Sequence, residues 1–97
     1  MISIEGLEGF EWDPGNLAKS HAKHRVTPAE TEQIFFNEPL LLLSDEKRSG
    51  EEPRFLALGH THDRRRLFVV FTLREKRIRI ISSRDMSRKE RAIYDKA

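Results

Sequence analysis

The chain has 97 residues, room for one small domain but not for two full globular units or a doubly wound nucleotide fold with a separate substrate domain. Six Phe and one Trp within a 37% hydrophobic composition suffice for a single core, and the absence of cysteine excludes disulfides, a thiolate nucleophile and thiolate-bound zinc or iron–sulfur clusters. The net charge of +2 conceals two opposed halves: residues 1–53 carry 5 basic and 11 acidic side chains, residues 54–97 carry 13 and 5. Twelve of the 18 basic residues are arginine, the side chain suited to bidentate contact with phosphate or carboxylate. The second half is therefore either an anion-binding surface or a solvated face balanced by salt bridges.

Met1 to Phe10 carries no positive charge ahead of an apolar block, so it does not read as a signal peptide. No run reaches the 18 or so apolar residues of a membrane helix. Both features, with the missing cysteine, lead to a cytoplasmic expectation.

Residues 1–9 read as an edge strand or a loose arm, and Phe10-Glu11-Trp12 as a short strand. Asp13-Pro14 reads as N-cap and first position of a helix reaching about His24, with Leu17, Ala18 and Ala22 inward. Thr27-Pro28-Ala29-Glu30 is a capping box opening a second helix to about Asn37, which buries Ile34 and Phe35 and which Pro39 cannot continue. Leu40 to Leu43 and Phe55 to Leu58 read as strands. Leu67 to Thr72, a continuous apolar and β-branched run, reads as a strand buried on both faces. Arg74-Glu75-Lys76 is a tight turn into a last strand, Ile78 to Ser82. Ser87-Arg88-Lys89-Glu90 is another capping box, opening a C-terminal helix with Ala92 and Ile93 inward. Short polar turns between the strands imply an antiparallel meander. The expected class is α+β: one domain over residues 1–97, its antiparallel sheet packed by N-terminal helices and a C-terminal helix.

Several residue groups carry possible chemistry. Arg77-Ile78-Arg79-Ile80 alternates, which puts both arginines on one face of a strand; Arg74 and Arg84 flank the same strand. A row of guanidinium groups holds phosphate, or pairs with carboxylates such as Glu51 and Glu52. Lys23-His24 suits a helix C-terminus, where cations meet outward carbonyls. It also suits proton transfer by His24 beside a charge-stabilising Lys23. His60 and His62 would share a strand face, yet no third metal ligand stands at a characteristic spacing, so no metal or other cofactor is expected. Glu90 and Tyr94 lie four apart on one helical face. Trp12 reads as a core anchor.

Six segments taken together resemble the BrnT family, the toxins of type II toxin–antitoxin systems. They are Phe10-Glu11-Trp12-Asp13-Pro14; Lys23-His24; Arg54-Phe55 with Gly59; Val69-Val70-Phe71-Thr72-Leu73-Arg74; Ile78-Arg79-Ile80-Ile81-Ser82-Ser83-Arg84; and Arg88-Lys89-Glu90-Arg91 with Tyr94. The resemblance covers about residues 10 to 95. It implies a RelE-like ribonuclease fold, metal-free RNA cleavage that inhibits translation, a BrnA-type ribbon-helix-helix antitoxin, and contact with operator DNA only through that antitoxin. The catalytic candidates are Lys23, His24, Arg54, Arg79 and Arg84; Arg74, Arg77, Glu90 and Tyr94 are candidates for holding RNA. The chain departs from the family pattern at Ser20, Arg25, Pro53 and Ser83. At Arg25 the family has glycine, which suits a left-handed helix end, so arginine is expected to take another geometry. A non-catalytic basic module that binds an acidic protein or nucleic acid is the rival reading. Catalysis needs His24 and at least two arginines to converge on one phosphate, whereas a binding surface spreads them out.

Overall fold

The structure, a computed structural model, describes residues 6–15, 24–45 and 52–97. Five strands, β1 (Gly9–Trp12), β2 (Leu41–Ser44), β3 (Arg54–His60), β4 (Arg66–Arg74) and β5 (Arg77–Asp85), form one sheet in the order β1-β5-β4-β3-β2. Helix α1 spans Pro28–Gln33 and runs into a 3-10 turn at Ile34–Phe36; α2 spans Arg88–Asp95. Most of the first predicted helix, including Leu17, Ala18, Ala22 and Lys23, lies outside the described residues, as does most of the segment 1–9. Its start is visible: Asp13 Oδ1 accepts from the Gly15 amide at 2.9 Å.

β2 to β5 make the expected antiparallel meander. The turn between β4 and β5 is two residues, Glu75 and Lys76, with φ of 50° and 63°. Positive φ at both positions matches the right-handed twist of a hairpin. β1 adds to the free edge of β5 in parallel, with Phe10 beside Ile78 and Trp12 beside Ile80, so the sheet is mixed. Short-turn reasoning gives no access to that pairing, because the two strands are far apart in the chain.

Alternation decides the two faces. Ala57, Leu67, Val69, Phe71, Ile78 and Ile80 point toward α1 and close a core with Val26, Ile34 and Phe35. Phe71 lies edge-on to Phe35 (5.4 Å between ring centres) and tilted against Phe55 (5.6 Å). Gly59 is required here, since a Cβ would stand 2.9 Å from Ile34 Cβ. The two-sided burial expected of β4 is not found: Phe68 and Val70 are only partly covered, because the opposite face is open along much of its length.

On that opposite face α2 covers a smaller cluster of Leu58, Met86 and Tyr94 with Leu41 and Phe68. The capping box at Ser87 is present in full, and Thr27 makes the same motif for α1. The inward residues of α2 differ from expectation. Ile93 is 60% exposed and Ala92 is exposed, while Tyr94 is 5% exposed. Met86, Glu90 and Tyr94 repeat every four residues, and that stripe faces the sheet.

One irregularity matters for function. Val70 pairs with Ser82 and Phe71 with Ile80, which leaves Ile81 as an extra residue in β5. Such a bulge reverses the parity of the strand beyond it. Ile80 and Ser83 thus both turn to the α1 side, where Ser83 Oγ accepts from Thr31 Oγ1 at 2.8 Å with both residues buried. Arg79 and Arg84, five apart, thus share the open face.

Candidate active site

The open face carries a cleft of about 490 Å³. β3 contributes Arg54 and Leu56, β4 Phe68 and Val70, and β5 Ile81, Ser82 and Arg84; Asp45, just past β2, closes one side. Asp45 is fixed by its backbone, its amide donating to the Arg54 carbonyl at 2.8 Å.

Arg84 is held firmly. Its Nη1 and Nη2 donate to the two carboxylate oxygens of Glu90 at 2.8 and 2.9 Å, and Nη1 also donates to the Asp85 carbonyl at 3.0 Å. Its guanidinium carbon sits 4.1 Å from the centre of the Phe68 ring, a cation–π contact. Of five N–H groups, three are engaged, which leaves Nε–H and one Nη2–H for a ligand. Glu90 is both cap and clamp: it also accepts from the Ser87 amide at 2.7 Å. The Arg84 hydrogen bond and the capping amide hold its carboxyl below the usual carboxylate range, and Glu90 in turn raises Arg84.

The remaining predicted residues scatter. Arg79 lies on the same face, but its guanidinium reaches Glu11 and Asp13, each at 3.3 Å. Arg74 pairs with Glu52 beside the hairpin end, and Arg77 is exposed opposite Arg74. Carboxylates thus meet many of the cations, as the salt-bridge reading expects. Lys23 lies outside the described residues. His24 does not line the cleft. Its carbonyl accepts from Arg65 Nη2 at 3.3 Å, and its ring is within electrostatic reach of Asp85. Tyr94 packs beneath α2, where its hydroxyl donates to the Pro39 carbonyl at 2.5 Å.

Arg65, which sequence reasoning passed over, organises the helix-end region. It donates to Asp85 at 2.7 and 2.9 Å, to Glu30 at 3.1 Å, and to the carbonyls of His24 and Arg25. The expectation that Arg25 abandons the left-handed geometry is wrong. Its φ is 54°, as glycine would adopt, and Arg65 satisfies the carbonyls there. Such a position costs a non-glycine residue of order 1 kcal/mol, which the Arg65 contacts offset. Asp45, Phe68 and Ser82 were not among the site residues expected from sequence. Only the bulge parity and the neighbouring strands bring them to the cleft. His60 and His62 turn to different partners, Tyr94 and Asn37, and among the described residues no three His, Cys, Asp or Glu side chains gather.

A family model described as "Ribonuclease toxin, BrnT, of type II toxin-antitoxin system" matches residues 12–90. The chain belongs to the BrnT family. A BrnT-family chain is one of a family of ribonuclease toxins of type II toxin–antitoxin systems, which implies an RNA substrate and an antitoxin partner. The fold is similar to the crystal structure of the Brucella abortus ribonuclease toxin BrnT, with a TM-score of 0.62 and 20% identity, covering 82% of this chain and 97% of that one. No curated protein matches the chain. In the described residues no helix is long and apolar enough to cross a membrane.

Proposed function

We propose that this chain is a cytoplasmic, metal-independent endoribonuclease that cleaves RNA by attack of a ribose 2′-hydroxyl on the adjacent phosphate, and so inhibits translation. A BrnA-type ribbon-helix-helix antitoxin neutralises it and carries the pair to operator DNA. The single observation that supports the reading is the placement of Arg54 and Arg84 along one open cleft, with Arg84 already oriented. In-line attack adds negative charge to the phosphorane. Donors fixed in advance stabilise that charge without reorganising during the reaction. Arg84 is such a donor, because Glu90 and Phe68 immobilise its fork while two N–H groups remain for phosphate.

Proton transfer needs a second group. Asp45, the one carboxylate lining the cleft among the described residues, is assigned to take the 2′-hydroxyl proton. As the new bond to phosphorus forms, the bond to the 5′-oxygen breaks, leaving a 2′,3′-cyclic phosphate, and the departing oxygen takes a proton from water. Lys23-His24 carries the residue types for the same task, and substitution separates the two. Arg79 holds flanking phosphate once RNA displaces Glu11 and Asp13. Arg74 and Arg77 extend that track, while Glu90 and Tyr94 act by positioning.

The test is cleavage of a defined single-stranded RNA with chelator present. The parent cleaves, and Arg84→Ala falls by about 10²–10³, the usual loss for one preorganised donor, with its circular dichroism unchanged. Asp45→Asn loses cleavage and His24→Ala keeps it. Abolition by chelator overturns metal independence, and parental activity in Arg84→Ala overturns the cleft. Loss with His24→Ala but not with Asp45→Asn moves proton transfer to Lys23-His24. A folded parent that cleaves nothing favours the non-catalytic binding module.

A further inference from the structure

A second cavity, also about 490 Å³, lies at the other end of α2. The cleft meets this helix through Glu90 in its first turn; the cavity meets it through its last residue, Asp95. Its walls are Glu38 and Pro39 from the segment before β2, His60 at the end of β3, Arg64 in the turn, Arg66 on β4, and Asp95. Nothing in the proposed cleavage chemistry uses them.

The hydrogen bonds assign the His60 proton. Tyr94 donates its one hydroxyl hydrogen to the Pro39 carbonyl at 2.5 Å. Burial holds the Tyr94 phenol above its ordinary range, so that hydrogen stays in place. His60 Nδ1 lies 2.7 Å from the same oxygen. With its hydrogen already committed, Tyr94 Oη can only accept, so Nδ1 carries a hydrogen and donates. The uncharged ring therefore has its lone pair on Nε2. Protonation occurs at Nε2 and leaves the His60–Tyr94–Pro39 chain intact.

The charges around the ring make this a switchable site. Arg66 is paired with Asp95. The Arg64 amide donates to the Thr61 carbonyl at 2.9 Å, but its guanidinium has no hydrogen-bond or salt-bridge partner among the described residues, and its φ of 67° is one that arginine adopts at a cost. Glu38 lines the same cavity as Arg64, and His62 is turned away to Asn37 Nδ2 at 3.1 Å. The lining is formally balanced when His60 is neutral and carries one positive charge when it is protonated.

We propose that this cavity is a phosphate-binding site, separate from the cleavage cleft, in which His60 Nε2, Arg64 and Arg66 hold a phosphate group of an RNA strand and binding takes up a proton at His60. Only the RNA source of the phosphate rests on the ribonuclease reading. The site itself does not.

The experiment reads His60 ring signals by NMR in an Arg84→Ala background, which weakens the arginine cleft, with strands whose 2′-O-methyl groups block cleavage. His60→Gln assigns the signals. The probes are a 2′-O-methyl tetranucleotide with a 5′-hydroxyl, the same with a 5′-phosphate, and inorganic phosphate. The first has only diester charges, which do not titrate between about pH 5 and 8, so any pH dependence belongs to the protein. The free protein shows the Nδ1–H tautomer. The tetranucleotide shifts the His60 signals and binds about tenfold more tightly at pH 5 than at pH 8. Arg64→Ala removes the shift while the tautomer persists. A requirement for the 5′-phosphate assigns a chain end, and equal shifts by both strands assign a backbone phosphate. The Nε2–H tautomer, signals that no probe moves, or an unchanged shift in Arg64→Ala overturns the site. A response to inorganic phosphate alone overturns the RNA assignment.

Discussion

On the α1 face of the sheet, Phe71, Val69, Leu67 and Ile80 are fully shielded, and Thr31 and Ser83 satisfy each other. On the α2 face the same strands present Arg54, Arg79 and Arg84, and α2 covers only one end. Both faces come from one alternating pattern, so each strand residue serves stability or chemistry but rarely both. α1 brings large side chains that exclude water and make a rigid floor. α2 brings a carboxylate, Glu90, and its contribution is orientation of Arg84. Burial of apolar area stabilises the chain. The half-open face leaves guanidinium groups solvated enough to stay charged and ordered enough to direct them.

The bulge keeps the faces distinct, and inserting one alanine between Ser82 and Ser83 is the strongest way to break them. With the pairing up to Ser82 kept, the added residue turns Arg84 toward the core and Ser83 away from Thr31. The expected loss is about 3–5 kcal/mol or of cooperative unfolding altogether, read by urea denaturation, because a buried unpaired charge costs that much. An insertion variant within about 1 kcal/mol of the parent would show that register tolerates the shift. Thr31→Val tests the polar pair within the dry face. It leaves Ser83 Oγ without its partner and costs about 1–3 kcal/mol, while Thr31→Val with Ser83→Ala recovers part of the loss.

The smallest effect is on pH. Hydrogen bonding holds three carboxyls below their ordinary range: Glu30 chiefly through the Thr27 amide, Asp85 through Arg65 and Glu90 through Arg84. In acid the unfolded chain binds protons that the folded chain refuses. Their contribution is therefore complete above about pH 4–5 and is lost as pH falls through the lower folded values. Glu30→Gln flattens part of that acid limb in a denaturation series between pH 2 and 6. An unchanged limb would show that the pairs at the sheet edge are too solvated to matter.

Local features were legible because local chemistry specifies them. Two capping boxes, at Thr27 and Ser87, need four residues each and appear as read. The Glu75-Lys76 turn and the meander follow from short spacing. The alternation of Arg77 to Ile80 put Ile78 and Ile80 in the core. Phase was harder. α2 is short, and although Glu90 and Tyr94 were placed on one helical face, that this stripe, continued by Met86, meets the sheet in place of Ala92 and Ile93 depends on what lies beneath the helix. Grouping the arginines by proximity in the chain joined Arg77 and Arg79 with the flanking Arg74 and Arg84 on one surface, whereas the cleft joins Arg84 to Arg54 from two strands away.

The sequence by itself determined the class, the order of most elements, the caps, the apolar half of each strand and the resemblance to a toxin family, all of which rest on residue type and short-range period. Tertiary structure alone decided that β1 runs parallel beside β5, that Ile81 is the odd residue of its strand, that Arg65 ties down the end of the first predicted helix, and that Asp45, Arg54 and Arg84 line one cleft. Those outcomes depend on register between distant segments. There a single extra residue reverses every side chain beyond it, and no local spacing records which register the packed sheet adopts.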